Sequence, residues 1–139
     1  MPDAIFSADF NNLDAIRDFV GQIAEQAGFS GKDVYAIQLA TDEACSNVIE
    51  HAYKGIQGGS IEISCNVHGD TLTIIVHDHG LEFDITRVKK PDLSRKLEER
   101  EIGGLGIYLI QKLMDEVHFE SSAKTGNYLT MVKHKLGGT

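Results

Sequence analysis

No apolar run in this chain extends beyond a few residues, far short of the ~20 that a membrane-spanning helix needs. The opening stretch, MPDAIFSADF, lacks the basic segment and apolar core of a secretory leader, which points to the cytoplasm. Basic charge is not in excess either. The formal net charge is −8, which excludes binding to nucleic acid through its phosphates, because that requires a basic face. Cysteine is scarce. Cys45 falls in a helical pattern and Cys65 on the apolar side of a strand pattern, so both read as small core residues rather than disulfide partners or metal ligands. Low-complexity segments and internal repeats are absent. What remains is 139 residues, 42% of them hydrophobic, the size of a single domain spanning residues 1–139 that can bury a core of its own.

The segment Ile5–Phe10 reads as a short first strand. Leu13, Ile16, Val20, Ile23, Ala24 and Ala27 then fall on one stripe of an amphipathic helix, with Asn11 or Asn12 to cap its start and Gly28 to end it. A second helix opens near Ser30–Asp33 and runs to about Lys54, with Val34, Ile37, Ala40, Ala44, Val48 and Ala52 as its core stripe. Gly55 and the pair Gly58–Gly59 stop it. Ile61, Ile63, Cys65 and Val67 alternate with polar residues, Gly69–Asp70 turns the chain, and Leu72, Ile74 and Val76 repeat the alternation. This pattern predicts a hairpin.

From Asp84 to Ile102 the pattern gives way to mixed charge, including Arg87, Lys89, Lys90, Arg95 and Lys96. Such a segment buries little and reads as a mobile loop of the kind that serves a function. A third helix follows, with Leu105, Leu109 and Leu113 on one face, and two strands close the chain at Val117–Ser121 and Tyr128–Leu136 around a turn at Gly126. Hairpins joined to three amphipathic helices predict an α+β two-layer sandwich, a mostly antiparallel sheet covered on one face by helices.

Three groups of residues carry chemistry. In LATDEACSNVIEHAY, Glu43 and Asn47 stand four apart, so their side chains share a helix face with Cβ atoms about 5–6 Å apart. Asn offers an oxygen to a hard cation and Glu can accept a proton. The bland alternative places both at the solvent boundary of the helix. In TLTIIVHDHGLEF, counting by twos from Leu72 places Asp78 on the core side, where it needs a donor; Gly80 then permits a turn and the close approach of a flat ligand. An Asp that only caps a turn is the alternative there. In the run from Gly103 to Gly106, three glycines in four positions expose backbone N–H groups at a helix start, where an anion is favoured. No Lys-Ser/Thr follows, which excludes a Walker motif, and a charged loop rather than a parallel strand precedes it, which disfavours a dinucleotide fingerprint. A net negative chain is compatible with a phosphate ligand, since backbone N–H groups and magnesium supply local positive potential. His77 and His79 flank Asp78 and point to the opposite face. No third ligand stands at predictable spacing, so they read as solvent-side histidines rather than a zinc site.

The order of these groups resembles the GHKL ATPase superfamily and, within it, the small anti-sigma-factor serine kinases of the RsbW and SpoIIAB type. The resemblance covers nearly the whole chain. Its first box, Glu-x-x-x-Asn followed by His and an aromatic, is matched by Glu43, Asn47, His51 and Tyr53. Its second, Asp-x-Gly-x-x-Phe, is matched by Asp78, Gly80 and Phe83, and its third by Gly104, Leu105 and Gly106. The resemblance implies that Asn47 holds Mg²⁺ on the ATP phosphates, that Glu43 is the catalytic base, and that Asp78 bonds the adenine amine. It further implies that the glycine turn cradles phosphate, that residues 84–102 form a lid, and that Thr130 on the last strand supports Asp78. Two positions depart from the pattern: Ile85 stands where Pro is common, and Asn127 where Gly-Thr is common before Tyr128.

The same resemblance implies a serine/threonine-protein kinase acting as an anti-sigma factor. Its cofactors would be ATP and Mg²⁺, its partners an anti-anti-sigma (STAS-domain) protein and an alternative sigma factor, and its state a homodimer. A non-catalytic ATP-gated binding module of the same fold is the rival reading.

Overall fold

A computed structural model describes residues 3–53, 58–80 and 104–135, with Gly104 and Leu105 as backbone alone. The elements run β1 (Asp3–Ser7), α1 (Leu13–Gln26), α2 (Gly31–Asn47), a π turn (Val48–Ala52), β2 (Ser60–His68), β3 (Thr71–Asp78), α3 (Gly104–Leu113), β4 (Glu116–Ser122) and β5 (Gly126–His134). The five strands form one sheet in the order β1-β2-β3-β5-β4, and each neighbouring pair is antiparallel. This is the expected α+β sandwich.

The alternation read from sequence sets which face of the sheet meets the helices. Ile61, Ile63, Leu72 and Ile74 are fully buried and join Ile16, Val20, Ala24, Ile37, Ala40, Ile110 and Met131 in one core. Each of these side chains larger than alanine contributes about 1.5–3 kcal/mol relative to exposure. The predicted α2 stripe, from Val34 to Ala52, is buried throughout. Cys45 and Cys65 lie in the same core as free thiols. Burial first, and then nearby Asp42 or Asp3, pushes each up to about 12, so neither is a nucleophile at neutral pH.

Several boundaries differ from expectation; the last strand covers Gly126–His134 rather than Tyr128–Leu136, and β4 covers Glu116–Ser122 rather than Val117–Ser121. The first strand covers Asp3–Ser7 rather than Ile5–Phe10, because Asp9 accepts a hydrogen bond from Asn11 N at 2.8 Å and starts a 3₁₀ turn there. That turn leads into α1 without a side-chain cap from Asn12, whose amide instead donates to Ser7 O at 2.8 Å. The second helix stops being α-helical at Asn47 and continues as the π turn, closed by Tyr53 N donating to Val48 O at 3.1 Å. Ser30 caps its start through Asp33 N.

Gly126 opens β5 at φ +90°, and a Cβ there would lie 2.2 Å from Asp78 O. Gly69, in the β2–β3 turn at φ +60°, has nothing within 4 Å of such a Cβ. Gly69→Ala therefore carries only the left-handed backbone strain, on the order of 1 kcal/mol, whereas Gly126→Ala adds a collision with backbone. Thermal unfolding of the two variants should show the larger loss at Gly126; equal losses would contradict this account of the β3–β5 contact.

Candidate functional site

The end of β3 brings its residues against two other elements. Asp78, 3% exposed, projects to the helix side, as the alternation predicts. Its Oδ1 accepts from Gly80 N at 2.8 Å and from Asn127 Nδ2 at 2.8 Å. Asn127 lies opposite Asp78 in the β3–β5 register, and its own Oδ1 accepts from Ser121 Oγ, which fixes the amide so that its N–H₂ faces the carboxylate. Thr130 does not take this role. It pairs with Ile75, three positions along β5, on the sheet face that turns away from the helices. The support for Asp78 comes from Asn127, one of the two positions that departed from the family pattern.

Gly80 has a reason beyond turning. A Cβ there would stand 2.3 Å from Ala52 O and 2.7 Å from Ala52 Cβ, so glycine lets the chain after β3 lie against the last residue of the π turn. Tyr53 closes the same corner. Its hydroxyl donates to Ser60 O at 2.7 Å and accepts from His79 N at 2.9 Å, joining helix end, β2 and the chain beyond β3.

On the helix side, Ala44, Asn47, Val48 and His51 fall at i, i+3, i+4 and i+7, one face of α2 and its π turn. Gly106 of α3 meets that helix at Glu43 and Asn47. A Cβ there would lie 3.0 Å from Asn47 Nδ2 and 3.2 Å from Glu43 Oε2. A side chain there would press on both polar groups, so Gly106 and the Glu-x-x-x-Asn helix form one close junction. Glu43 sits there with its carboxyl raised above the ordinary value, first by burial and then by the charges of Asp42 and Glu50.

Between the two halves lies a pocket enclosing about 510 Å³ of empty space, part of it open to solvent. Among the described residues, its floor is Val76, Leu129 and Phe119 with Ile107, its helix wall Ala44, Asn47, Val48, His51 and Ala52, and its polar end Asp78 and Asn127. An apolar slot with a few convergent polar groups suits a flat heterocycle with a donor at its edge. Two buried side-chain atoms among the described residues have no hydrogen-bond partner, Asn47 Nδ2 and His51 Nε2, and both residues line this pocket. The nearest charge to His51 Nε2 is Glu50 Oε2 at 3.6 Å, beyond a hydrogen bond. Unsatisfied buried polar atoms are rare and call for an external partner.

The structure thus brings together Glu43, Asn47 and Gly106 at one junction, and Asn47, His51 and Asp78 around one pocket, with Gly80 behind it. Gly104 and Leu105 form the start of α3. Phe83, Gly103 and the expected lid at 84–102 lie outside the described residues. The sequence assigns no site role to Asn127, Ser121 or the pocket floor, because cross-strand register has no local signature; it marks Tyr53 only as the aromatic of the first box.

Comparison with known proteins identifies the family to which this fold belongs. The family model for the histidine kinase-like ATPase domain matches residues 6–133. The chain belongs to that family, and within it to the group of the RsbW serine-protein kinases. It is 36% identical over 122 residues to the serine-protein kinase RsbW of Halalkalibacterium halodurans, covering 85% of this chain and 73% of that one. To RsbW of Bacillus subtilis it is 34% identical over 127 residues, covering 88% and 78%. Among solved structures, the RsbU and RsbW domains of a Mycobacterium tuberculosis protein share its fold, with a TM-score of 0.67 at 19% identity over 96% of this chain. This chain spans only 32% of that solved chain. No helix among the described residues is long and apolar enough to cross a membrane.

The raised carboxyl of Glu43 has a consequence for stability. A carboxyl whose pKa is higher in the folded than in the unfolded chain favours folding when protonated, and that contribution is lost as pH rises through the folded value. Glu43→Gln should therefore unfold at a higher temperature than the wild type at pH 7. The gap should close as pH falls to the ordinary carboxylate range, about 4.3. A gap that is absent at pH 7, or constant with pH, would contradict the assigned environment.

Proposed function

We propose that this protein is an ATP-dependent serine/threonine-protein kinase acting as an anti-sigma factor, which phosphorylates an anti-anti-sigma protein of the STAS-domain type and sequesters an alternative sigma factor. The observation that carries the nucleotide half of this reading is the pairing of a fixed buried acceptor, Asp78 with Asn127, and two unpartnered polar atoms, on Asn47 and His51, around one apolar slot. The protein-kinase half rests on the RsbW relatives, whose names give serine-protein kinase activity.

In this reading the adenine ring lies on Val76 and Leu129 and its amine donates to Asp78. Gly80 and Phe83 border the base, and backbone N–H groups around Gly103, Gly104, Leu105 and Gly106 meet the phosphates. Asn47 fits a magnesium ligand: its amide is buried without a partner, and its carbonyl oxygen is the hard donor such an ion takes. Magnesium would neutralise charge on the phosphates. His51, in the wall beside Asn47, would donate to a phosphate or ribose oxygen. Glu43, four residues before Asn47 and raised by burial, would accept the proton of the serine or threonine hydroxyl. Residues 84–102, with their Arg and Lys side chains, would serve as the lid. A homodimer in the cytoplasm completes the proposal.

Catalysis and binding separate at two adjacent positions. Glu43→Ala should lower phosphate transfer by about 10²–10⁴-fold while ATP affinity stays within about threefold. Asn47→Ala should weaken Mg-ATP by about tenfold or more, equivalent to about 1.4 kcal/mol, and leave ADP without magnesium less affected. Transfer to a STAS-domain acceptor is read with labelled ATP, and affinity by calorimetry. Undiminished transfer in Glu43→Ala would remove the base assignment. ATP binding with no labelled acceptor would favour the alternative, an ATP-gated binding module without catalysis.

A further inference from the structure

The sheet has a second cluster on its outer face, which the nucleotide pocket does not use. His77 and His79 stand on either side of Asp78, so when Asp78 faces the helices both imidazoles face the other way. Glu62 of β2 lies opposite His77 in the register. One ligand atom from each of Glu62, His77 and His79 lies within 4.8 Å of the others. The third ligand that spacing along the chain did not supply comes from the neighbouring strand.

His77 is the best defined of the three. Its side chain is 13% exposed, its ring stacks on Tyr128 with centroids 3.9 Å apart and planes at 6°, and His79 meets it edge-on at 4.5 Å. Its Nε2 lies 2.7 Å from Thr125 O. A carbonyl oxygen only accepts, so Nε2 carries the proton and, in the neutral ring, Nδ1 presents its lone pair. That lone pair faces Glu62 Oε2 at 3.5 Å. An imidazole nitrogen and a carboxylate oxygen so placed share a proton or, in the proton's place, a metal cation. A backbone carbonyl that holds the far nitrogen of a histidine is the usual outer support of a metal-binding imidazole.

The geometry points to a divalent transition-metal site at Glu62, His77 and His79, and we propose Zn²⁺ as its ion. Ligands about 2.1 Å from a tetrahedral zinc stand ~3.4 Å from one another, close to the observed 3.5 Å between Glu62 and His77. His79 is exposed and one residue past β3, so its ring can rotate to close the longer separations. Two imidazoles and one carboxylate favour zinc over magnesium or calcium, which prefer all-oxygen sets. The site differs from the magnesium position proposed at Asn47, which lies across the sheet. An ion there would join β2 to the end of β3 and hold the backbone on both sides of Asp78.

The test is titration of the untagged chain with Zn²⁺ in chelator-free buffer, by calorimetry and by thermal unfolding. One equivalent should bind and raise the unfolding temperature. His79→Ala and Glu62→Gln, on different strands and both at accessible side chains, should each weaken binding by about tenfold or more with an unchanged circular dichroism spectrum. Co²⁺ should give the visible bands of a four-coordinate site in the wild type and lose them in both variants. His118→Ala is the control, because Glu116 lies 3.3 Å from His118 and 3.5 Å from His134 in a separate exposed group. Absence of saturable binding would overturn the proposal. So would binding that survives in both variants, or that is lost in His118→Ala instead.

Discussion

A carboxylate on the core side of a sheet must be met by donors, and in this protein that requirement organises everything around the pocket. Asp78 takes two on one oxygen, the Gly80 amide and the Asn127 side chain. Loss of one such donor from a buried acceptor costs about 1–3 kcal/mol. Each donor brings its own condition. Gly80 reaches Asp78 only because no side chain separates it from Ala52, and Asn127 reaches it only because Gly126, at φ +90°, lets β5 start against the Asp78 carbonyl. Ser121 then fixes which way the Asn127 amide turns. Two glycines, an asparagine and a serine from three parts of the chain thus hold one acceptor at the polar end of an apolar slot.

The helix side obeys a complementary constraint. Glu43 and Asn47 are polar groups next to a buried stripe, and α3 approaches them through Gly106 rather than through a side chain. At this junction Asn47 Nδ2 has no partner, and burial, followed by the charges of Asp42 and Glu50, raises the carboxyl of Glu43. Immediately afterwards the helix widens into a π turn that carries His51 into the pocket wall, a distortion that often marks functional sites. One half of the pocket is therefore satisfied from within the protein and the other is not, and a ligand that satisfies Asn47 Nδ2 must carry an acceptor. A phosphate chain does.

Periodicity made most of the fold legible. The β2–β3 hairpin, the three helices and the core side of Asp78 follow from alternation and from 3.6-residue spacing, and Gly28 follows the end of α1 at φ +92° as its position predicts. Register across strands was not legible, because it depends on which residues pair rather than on which are adjacent. Thr130 was chosen by family resemblance, yet two-residue periodicity places it with Tyr128, on the opposite face from Asn127 and Leu129. Glu62 joins His77 and His79 for the same non-local reason. Asn12 stands at the N-cap of α1 as expected but makes no side-chain cap bond, because Asp9 supplies the acceptor one turn earlier, for the 3₁₀ turn. The π turn has no compositional signal that separates it from continued α-helix.

The central claim is that Asp78, held by Asn127, recognises an exocyclic amine on the ring in the slot. Its most direct test compares the binding of ATP with that of purine riboside triphosphate, which lacks only that amine, to the unaltered protein by calorimetry. A hydrogen bond to a charged acceptor is worth about 1.5–3 kcal/mol, so the analogue should bind on the order of ten- to a hundredfold more weakly. Equal affinity for the two nucleotides would contradict the account.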